Sequence, residues 1–549
     1  MAVYSHPPED GYEGVYLRDH LDDVARRASA IVPDGATTPD DESLQQVVET
    51  LAYVHDFGKA TTFFQEYLRH GTEPEHKPCR YHAPIGSFAA YYALDAQDFE
   101  TETCLAGFVA VAKHHGRLPD VTQYIYERAY KSENSTGGAQ TNDEQLQAAI
   151  ALQLNDIEDN VPELAGDVFD DATDGAGSWD GFRYSYKELL DEIAGAVATE
   201  SGTTISRESL SESCYGLTLE IWGSLVLADK TSAANRSEDA DVSSTYEATQ
   251  PSIQVLDEYV ADLEASSPAD PDGSRTERLN HYRSRARSAV VENAEQFAES
   301  GGGVATLTLP TGMGKTLSGL SAAQTVRDEL GGERVVYALP FTSIIDQVVD
   351  EVEDIYKTDT LGRLLTAHHH LSETKIVDED DVDADAADKN DDVAGMLAES
   401  WRAGLTVTTF VQLFESLAGP ANKQSMKIPA LRDSVVILDE PQSLPLDWWK
   451  LVPRLVAILT EQYGAMVIAM TATQPQLFDE GTERGGDVTE LVDNPDVYFE
   501  ATERVQYELD ASTERYIETQ EAPKSYADAS AELLSAVDSG TSTLAVCNT

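Results

Sequence analysis

Two rhythms of apolar and polar positions divide the 549-residue chain. In residues 1–235 the apolar positions recur at helical spacing, the stripe an amphipathic helix turns toward a core. Leu44, Val47, Val48, Leu51 and Ala52 form one such stripe and lead directly into His55-Asp56. Cys104 to His115 forms a second, with Gly116 as its expected stop. A third runs from Leu217 through Leu227 to Asp229. The acidic stretch Asp156 to Asp180 reads as a long loop between helices. From Asn235 to Ser274 the composition turns to Ser, Asp, Ala and Pro around one helical piece near Tyr259, which predicts a linker.

After the linker come short, continuously apolar runs separated by helical segments. They are 304–309, 335–339, 405–408, 435–438 and 466–470. Strands without a polar face are buried on both sides, so a parallel α/β sheet is expected. Asp378 to Asp385 reads as a solvated insertion. The pattern predicts an all-α domain over 1–235, a linker over 236–275 and an α/β domain over 276–500. A connection over 501–540 then leads to one more strand over 541–549.

Charge changes the picture less than its size implies. The chain carries 98 acidic against 38 basic residues, a formal charge of −60, which at first sight excludes nucleic acid. The acid is spread along the whole chain, however, and arginine outnumbers lysine. That suits a halophile's cytoplasm, where at about 1 M salt the Debye length falls to about 3 Å. Cys79, Cys104, Cys214 and Cys547 form no Cys-x-x-Cys pair, which argues against disulfide frameworks and thiolate zinc sites. No basic leader and no long apolar run marks a membrane segment, so a cytoplasmic, monomeric protein is expected.

The candidate chemistry lies in two places. In the α/β part, Thr311-Gly-Met-Gly-Lys-Thr316 follows a strand and opens a helix. Gly312 and Gly314 let backbone N–H groups around Thr311 and Met313 face phosphate, Lys315 reaches the β- and γ-phosphates, and Thr316 ligates Mg²⁺. Leu309 stands where the general motif has glycine. Asp439-Glu440 closes a buried strand, where Asp439 holds magnesium and Glu440 orients and deprotonates water. ATP with Mg²⁺ is the expected ligand.

With Leu339-Pro-Phe-Thr-Ser343, Val407-Thr-Thr-Phe410 and Thr471-Ala-Thr473 in order, this half resembles the superfamily 2 helicases. The resemblance implies a RecA-like domain whose first two intervening motifs touch a tracked strand and whose third couples hydrolysis to movement. Gln442 replaces a histidine common there. Leu544 to Thr549 looks like the first strand of a second RecA-like domain, which would carry the arginine finger. The chain alone is therefore expected to hydrolyse ATP poorly.

In the helical part, His20, His55-Asp56, His82, His114-His115 and Asp229 supply imidazole and carboxylate for divalent metal. Adjacent residues in a helix point about 100° apart, so His55 and Asp56 can serve two ions, with Asp56 bridging. Lys59 follows His55 by one helical turn and can steady a phosphate. The order is similar to that of HD phosphohydrolases. Joined to the helicase motifs, it resembles the CRISPR-associated helicase-nucleases of type I systems, in a haloarchaeal form.

That resemblance implies one ion held by His20, His55, Asp56 and Asp229, and another by His82, His114, His115 and the shared Asp56. The ions would be Mn²⁺, Co²⁺, Ni²⁺, Fe²⁺ or Mg²⁺. It implies a single-stranded DNA substrate and an RNA-guided surveillance complex as partner. The rival readings are a nucleotide phosphohydrolase with an ATP-sensing domain, and a repair or RNA helicase with an inert HD domain. His6, His70, His76, His281 and His368-His-His370 are read as structural or solvent-exposed.

Overall fold

The structure is a computed structural model describing residues 2–8, 14–129, 142–199, 205–206, 209–234, 242–357, 363–368, 393–419, 421–473, 477–478, 488–502 and 524–536. Residues 1–501 form one compact unit and 502–549 a second. Of the second unit, the helix Tyr526–Ala536 is described. The expected strand over 541–549 and the acidic insertion at 378–385 lie outside the described residues.

A short antiparallel hairpin opens the chain, β1 (Tyr4–His6) with β2 (Val15–Tyr16). The helices that follow are α1 (Leu17–Ile31), α2 (Leu44–Val54), α3 (Thr62–His70), α4 (Ala83–Asp95) and α5 (Thr101–Ala112). Next come α6 (Val121–Ala129), α7 (Asn142–Asn160), α8 (Pro162–Ala172), α9 (Trp179–Val197) and α10 (Glu212–Ala234). The last of these is the axis of the helical half. Its residues from Gly216 to Ala228 are all buried, as a helix apolar on every side requires.

The acidic stretch from Asp156 corrects the expected loop, because it contains α8. Pro162 starts the helix, where its missing N–H is not needed. Ala165, Val168, Phe169 and Ala172 then bury a stripe at helical spacing, leaving the acids on the wet face. The stop at Gly116 is also corrected. The α5 helix ends at Ala112, and the Lys113 carbonyl accepts both Gly116 N (2.8 Å) and Trp222 Nε1 (2.9 Å). His114 and His115 consequently sit on a turn.

The expected linker is packed structure: α11 (Val242–Tyr246) and α12 (Ile253–Ser266). Tyr246 is buried and accepts Arg334 Nη2 at its carbonyl (2.8 Å), while Leu256 and Val260 enter the core beside the sheet. After α13 (Arg275–Glu299) come β3 (Val304–Thr308), α14 (Lys315–Leu330), β4 (Val335–Leu339), α15 (Thr342–Tyr356) and β5 (Leu365–Ala367). Then follow α16 (Val393–Glu399), β6 (Leu405–Thr409), α17 (Phe410–Leu417), α18 (Asn422–Ser425), β7 (Val435–Asp439), α19 (Val452–Ala457), β8 (Met466–Thr471) and β9 (Thr489–Glu490).

The strands β3 to β9 form one parallel sheet in the order β5-β6-β4-β7-β8-β3-β9. The central strands β4, β6 and β8 are buried along their whole length. Strands β4 and β8 are almost wholly apolar, whereas β6 buries three threonines, of which Thr408 donates its hydroxyl to the His368 carbonyl (3.0 Å). The edge strands β5 and β9 have three and two residues, too short to leave a periodic signal. Among the described residues, no helix is long and apolar enough to cross a membrane.

Candidate metal centre and nucleotide site

Asp56 is the hub of the helical half. The α2 helix, started by the Ser43 side chain accepting Gln46 N, ends at Val54 with His55 as its cap. Asp56 then leaves helical geometry (φ −103°, ψ 11°) before a 3₁₀ turn at Phe57–Ala60. That break, and not the angular step between neighbours on one helix, separates the two side chains. Asp56 is 1% exposed and His55 fully buried.

The two oxygens of Asp56 face two groups of partners. Oδ2 lies 3.3 Å from His20 Nε2 and 3.5 Å from His55 Nε2. Asp229 Oδ1, brought in by α10, approaches the same two rings at 3.3 and 3.7 Å. Oδ1 lies 3.2 Å from His82 Nε2 and 3.6 Å from His114 Nε2. His115 Nε2 stands 3.1 Å from His82 Nε2. One ligand atom from each residue falls within 4.8 Å of the others in two sets, His20-His55-Asp56-Asp229 and Asp56-His82-His114-His115.

The chemistry of these donors fits divalent ions. His55 Nδ1 donates to the Ala52 carbonyl (2.7 Å) and His114 Nδ1 to the Val111 carbonyl (2.6 Å). A carbonyl can only accept, so each Nδ1 carries the proton and each Nε2 turns a lone pair inward. The Nε2 atoms of His20, His55 and His114 are buried without hydrogen-bond partners. Orphaned donors of this kind are costly unless a cation gathers them.

Burial pushes the Asp56 carboxyl up, but Lys59, His55, His82 and the nearby His114 outweigh it and hold it well below the usual carboxylate range. Asp229 is held low in the same way, burial being overcome by His20 and His55. Burial lowers His20, yet the two carboxylates raise it to about 9.

Two close approaches fix this geometry. A Cβ on Gly86 in α4 would stand 2.6 Å from the His55 carbonyl oxygen, and one on Gly58 would stand 2.5 Å from the His82 backbone. Lys59 lies on the 3₁₀ turn, outside the helix that ends before His55, and its Nζ is 2.9 Å from Asp56 Oδ2. Sequence reading left His6 without a partner, but its ring stands edge-on to His20 at 5.5 Å. Burial, with Lys59 and His20 adding to it, lowers His6 to about 4. No spacing signal links a strand residue to a helix two turns away. His368 is likewise buried, against Trp401, beside β5.

In the α/β half, Gly312 and Gly314 take positive φ (84° and 78°), and Gly314 caps α14. Arg283 Nε and Nη2 donate to the Gly312 carbonyl at 2.9 and 2.7 Å, bracing the loop from α13. Met313 is buried beneath the loop, while Thr311 is exposed and Thr316 partly so. Lys315 Nζ pairs with Glu440 Oε1. Asp439 is raised by burial and by Glu440, with Lys315 and Tyr337 opposing.

Tyr337, in β4, donates to Asp439 Oδ2 (3.0 Å), a partner hidden in a strand read as purely apolar. Gln442 donates to Glu440 Oε2, and its Oε1 accepts Thr471 Oγ1 (2.8 Å). Thr473 N in turn donates to Thr471 Oγ1 (2.9 Å). The glutamine in place of histidine thus ties the acidic strand end to Thr471-Ala-Thr473.

Fold and side-chain geometry together define a class, a helical HD-type phosphohydrolase domain followed by a RecA-like parallel-sheet domain of helicase type. Residues 7–215 match the family model "Cas3, HD domain", and residues 277–476 match "Type III restriction enzyme, res subunit". The CRISPR-associated nuclease/helicase Cas3 of Haloferax volcanii is 35% identical over 597 aligned positions, covering 100% of this chain and 61% of that protein.

The chain is thus similar to the CRISPR-associated Cas3 helicase-nucleases, and it spans about 61% of the length of this relative. Crystal structures of T. fusca Cas3-AMPPNP and Cas3-ADP align with TM-scores of 0.49 and 0.48, at 17% and 18% identity, over 86% of this chain and 50% of those.

Proposed function

We propose that this chain carries a metal-dependent single-stranded DNA endonuclease joined to the first RecA-like domain of an ATP-dependent helicase. Its place is in CRISPR interference, on target DNA opened by an RNA-guided type I surveillance complex. The observation that carries the reading is the division of Asp56, one oxygen facing His20 and His55, which Asp229 also approaches, and the other facing His82 and His114.

His20, His55, Asp56 and Asp229 would hold one divalent ion, and Asp56, His82, His114 and His115 the other. Two such ions polarise a phosphodiester and acidify water when bound. The residues supply the rest. His55 and His114, locked by their Nδ1 bonds, keep lone pairs aimed inward. Lys59 places a buried positive charge beside the bridging carboxylate, where a strand phosphate would arrive.

For ATP, the N–H groups at 311–314 and the α14 N-terminus face phosphate, with Lys315 beside them. Thr316 and Asp439 would hold Mg²⁺, and Glu440 would orient water. Lys315 and Glu440 pair directly, so phosphate competes with Glu440 for the ammonium and frees the carboxylate for water. With a net charge of −60, the strand would be held by backbone N–H groups, stacking and metal–phosphate bonds, which survive high salt better than a lysine patch.

The test is degradation of single-stranded DNA in molar KCl with Mn²⁺, Mg²⁺, Co²⁺ or Ni²⁺, comparing the parent with Asp56→Ala and Lys315→Ala. Cutting that survives Asp56→Ala sinks the nuclease reading. Release of product from free nucleotides with DNA untouched would favour a nucleotide phosphohydrolase instead.

A further inference from the structure

We infer that Asn422, on the sheet half, is a positioning residue of the second metal position, holding the turn that presents His114 and His115. The inference rests on the two-ion reading of the helical half. The turn leaves α5 at Lys113, and three contacts fix its backbone from outside. Trp222 of α10 donates Nε1 to the Lys113 carbonyl (2.9 Å). Asn422 donates Nδ2 to the His114 carbonyl. Arg117, just past the turn, pairs with Ala421 in an isolated antiparallel bridge. Two of the three come from the start of α18, about 300 residues away in sequence.

The Asn422 contact is dry. Asn422 is 7% exposed and His114 1%, so removing the amide leaves a backbone carbonyl without a partner and without water. That carbonyl belongs to the residue whose ring faces Asp56 Oδ1 at 3.6 Å, and the next residue is His115. The ligands of the first position are supported within the helical half. His55 Nδ1 is held by the Ala52 carbonyl (2.7 Å), and His20 Nδ1 faces Ser232 Oγ (3.5 Å). Loss of Asn422 should therefore weaken one ion and spare the other.

The α17–α18 segment is itself braced. Lys427 Nζ, just after α18, donates to Gln412 Oε1 in α17 (2.6 Å). Tyr215 of α10 donates to the Leu417 carbonyl (2.8 Å). The Thr409 side chain, at the end of β6, accepts Gln412 N (3.2 Å). A single eight-residue helix thus lies between Val407-Thr-Thr-Phe410, the stretch expected to touch the tracked strand, and the segment whose amide holds His114.

The experiment is a Mn²⁺ titration of the full chain, with free ion read by electron paramagnetic resonance and no DNA present. The parent is expected to bind two ions. Asn422→Ala should leave one affinity unchanged and weaken the other about 5- to 30-fold, the factor for one lost buried hydrogen bond. Asn422→Asp, which keeps the shape but cannot donate, should do the same, guarding against a folding defect. Trp222→Phe should act in the same direction. Tyr215→Phe, which loosens the same junction without touching the turn, should leave both affinities unchanged.

Superimposable parent and Asn422→Asp isotherms overturn the inference. So does equal weakening at both positions, or reproduction of the loss by Tyr215→Phe. A parent that binds a single ion sinks the two-ion reading itself, a failure visible before any variant is compared.

Discussion

The two halves build their sites by opposite routes. The candidate nucleotide site is local: a loop between β3 and α14 and the end of β7, strands that flank β8 in one sheet. Its key backbone features, Gly312 and Gly314 at positive φ, are set within a few residues. The candidate metal centre is dispersed. Its candidate ligands come from α1, the turn after α2, the start of α4, the turn after α5 and the far end of α10; His20, His55, Asp56 and His114 are buried, Asp229 is half-buried and His115 is exposed. A local site tolerates change around it, because its geometry is written in its own backbone. A dispersed site depends on every packing contact that brings its parts together.

That contrast can be attacked at its hub first. Asp56→Ala removes the one side chain shared by both ligand sets. It is expected to abolish Mn²⁺ binding by titration and to lower DNA cutting by about 10³-fold or more, typical for loss of a metal-site group. Lys315→Ala should abolish nucleotide binding measured by fluorescent-nucleotide titration while cutting of isolated single strands persists. Loss of both activities together would mean the halves are not separable.

The next effects are on stability. Arg432 pairs bidentately with buried Glu220 of α10, with Nη2 to Oε2 at 2.7 Å. Arg432→Ala strands a buried carboxylate and should cost about 3–5 kcal/mol in denaturant unfolding. A loss below about 1 kcal/mol would show that water reaches Glu220. Gly86→Ala drives a Cβ onto the His55 carbonyl and should cost about 1–3 kcal/mol by overpacking, with metal affinity falling too. Tyr337→Phe should be mildest, a loss of about 1 kcal/mol or less in Mg²⁺-nucleotide affinity, since one hydroxyl to Asp439 is removed.

The legibility of the two sites follows the same division. The β3–α14 loop and Asp439-Glu440 could be placed from spacing alone, because strand, turn and helix follow one another in the chain. The histidines could be singled out only by residue type and order. Nothing near His20 in sequence marks it, yet α1 carries it to 3.3 Å from both Asp56 and Asp229. His6 and Asn422 were invisible for the same reason, each reaching the centre across a tertiary contact. Acidic composition misled at Asp156 to Asp180, where it covers the wet face of a helix with a buried stripe.

By itself the sequence determined the all-α and parallel-sheet halves, since hydrophobic period dictates which faces can be buried. It also determined the backbone of the loop between β3 and α14, whose glycines Gly312 and Gly314 take positive φ. Only the tertiary structure decided that Asp56 presents one oxygen to each imidazole set. It alone decided that the expected linker sends Tyr246, Leu256 and Val260 into the cores, and that the His114-His115 turn is held from the sheet half. Those outcomes depend on side chains far apart in the chain excluding water from one another, and local periodicity carries no record of which distant surfaces will meet.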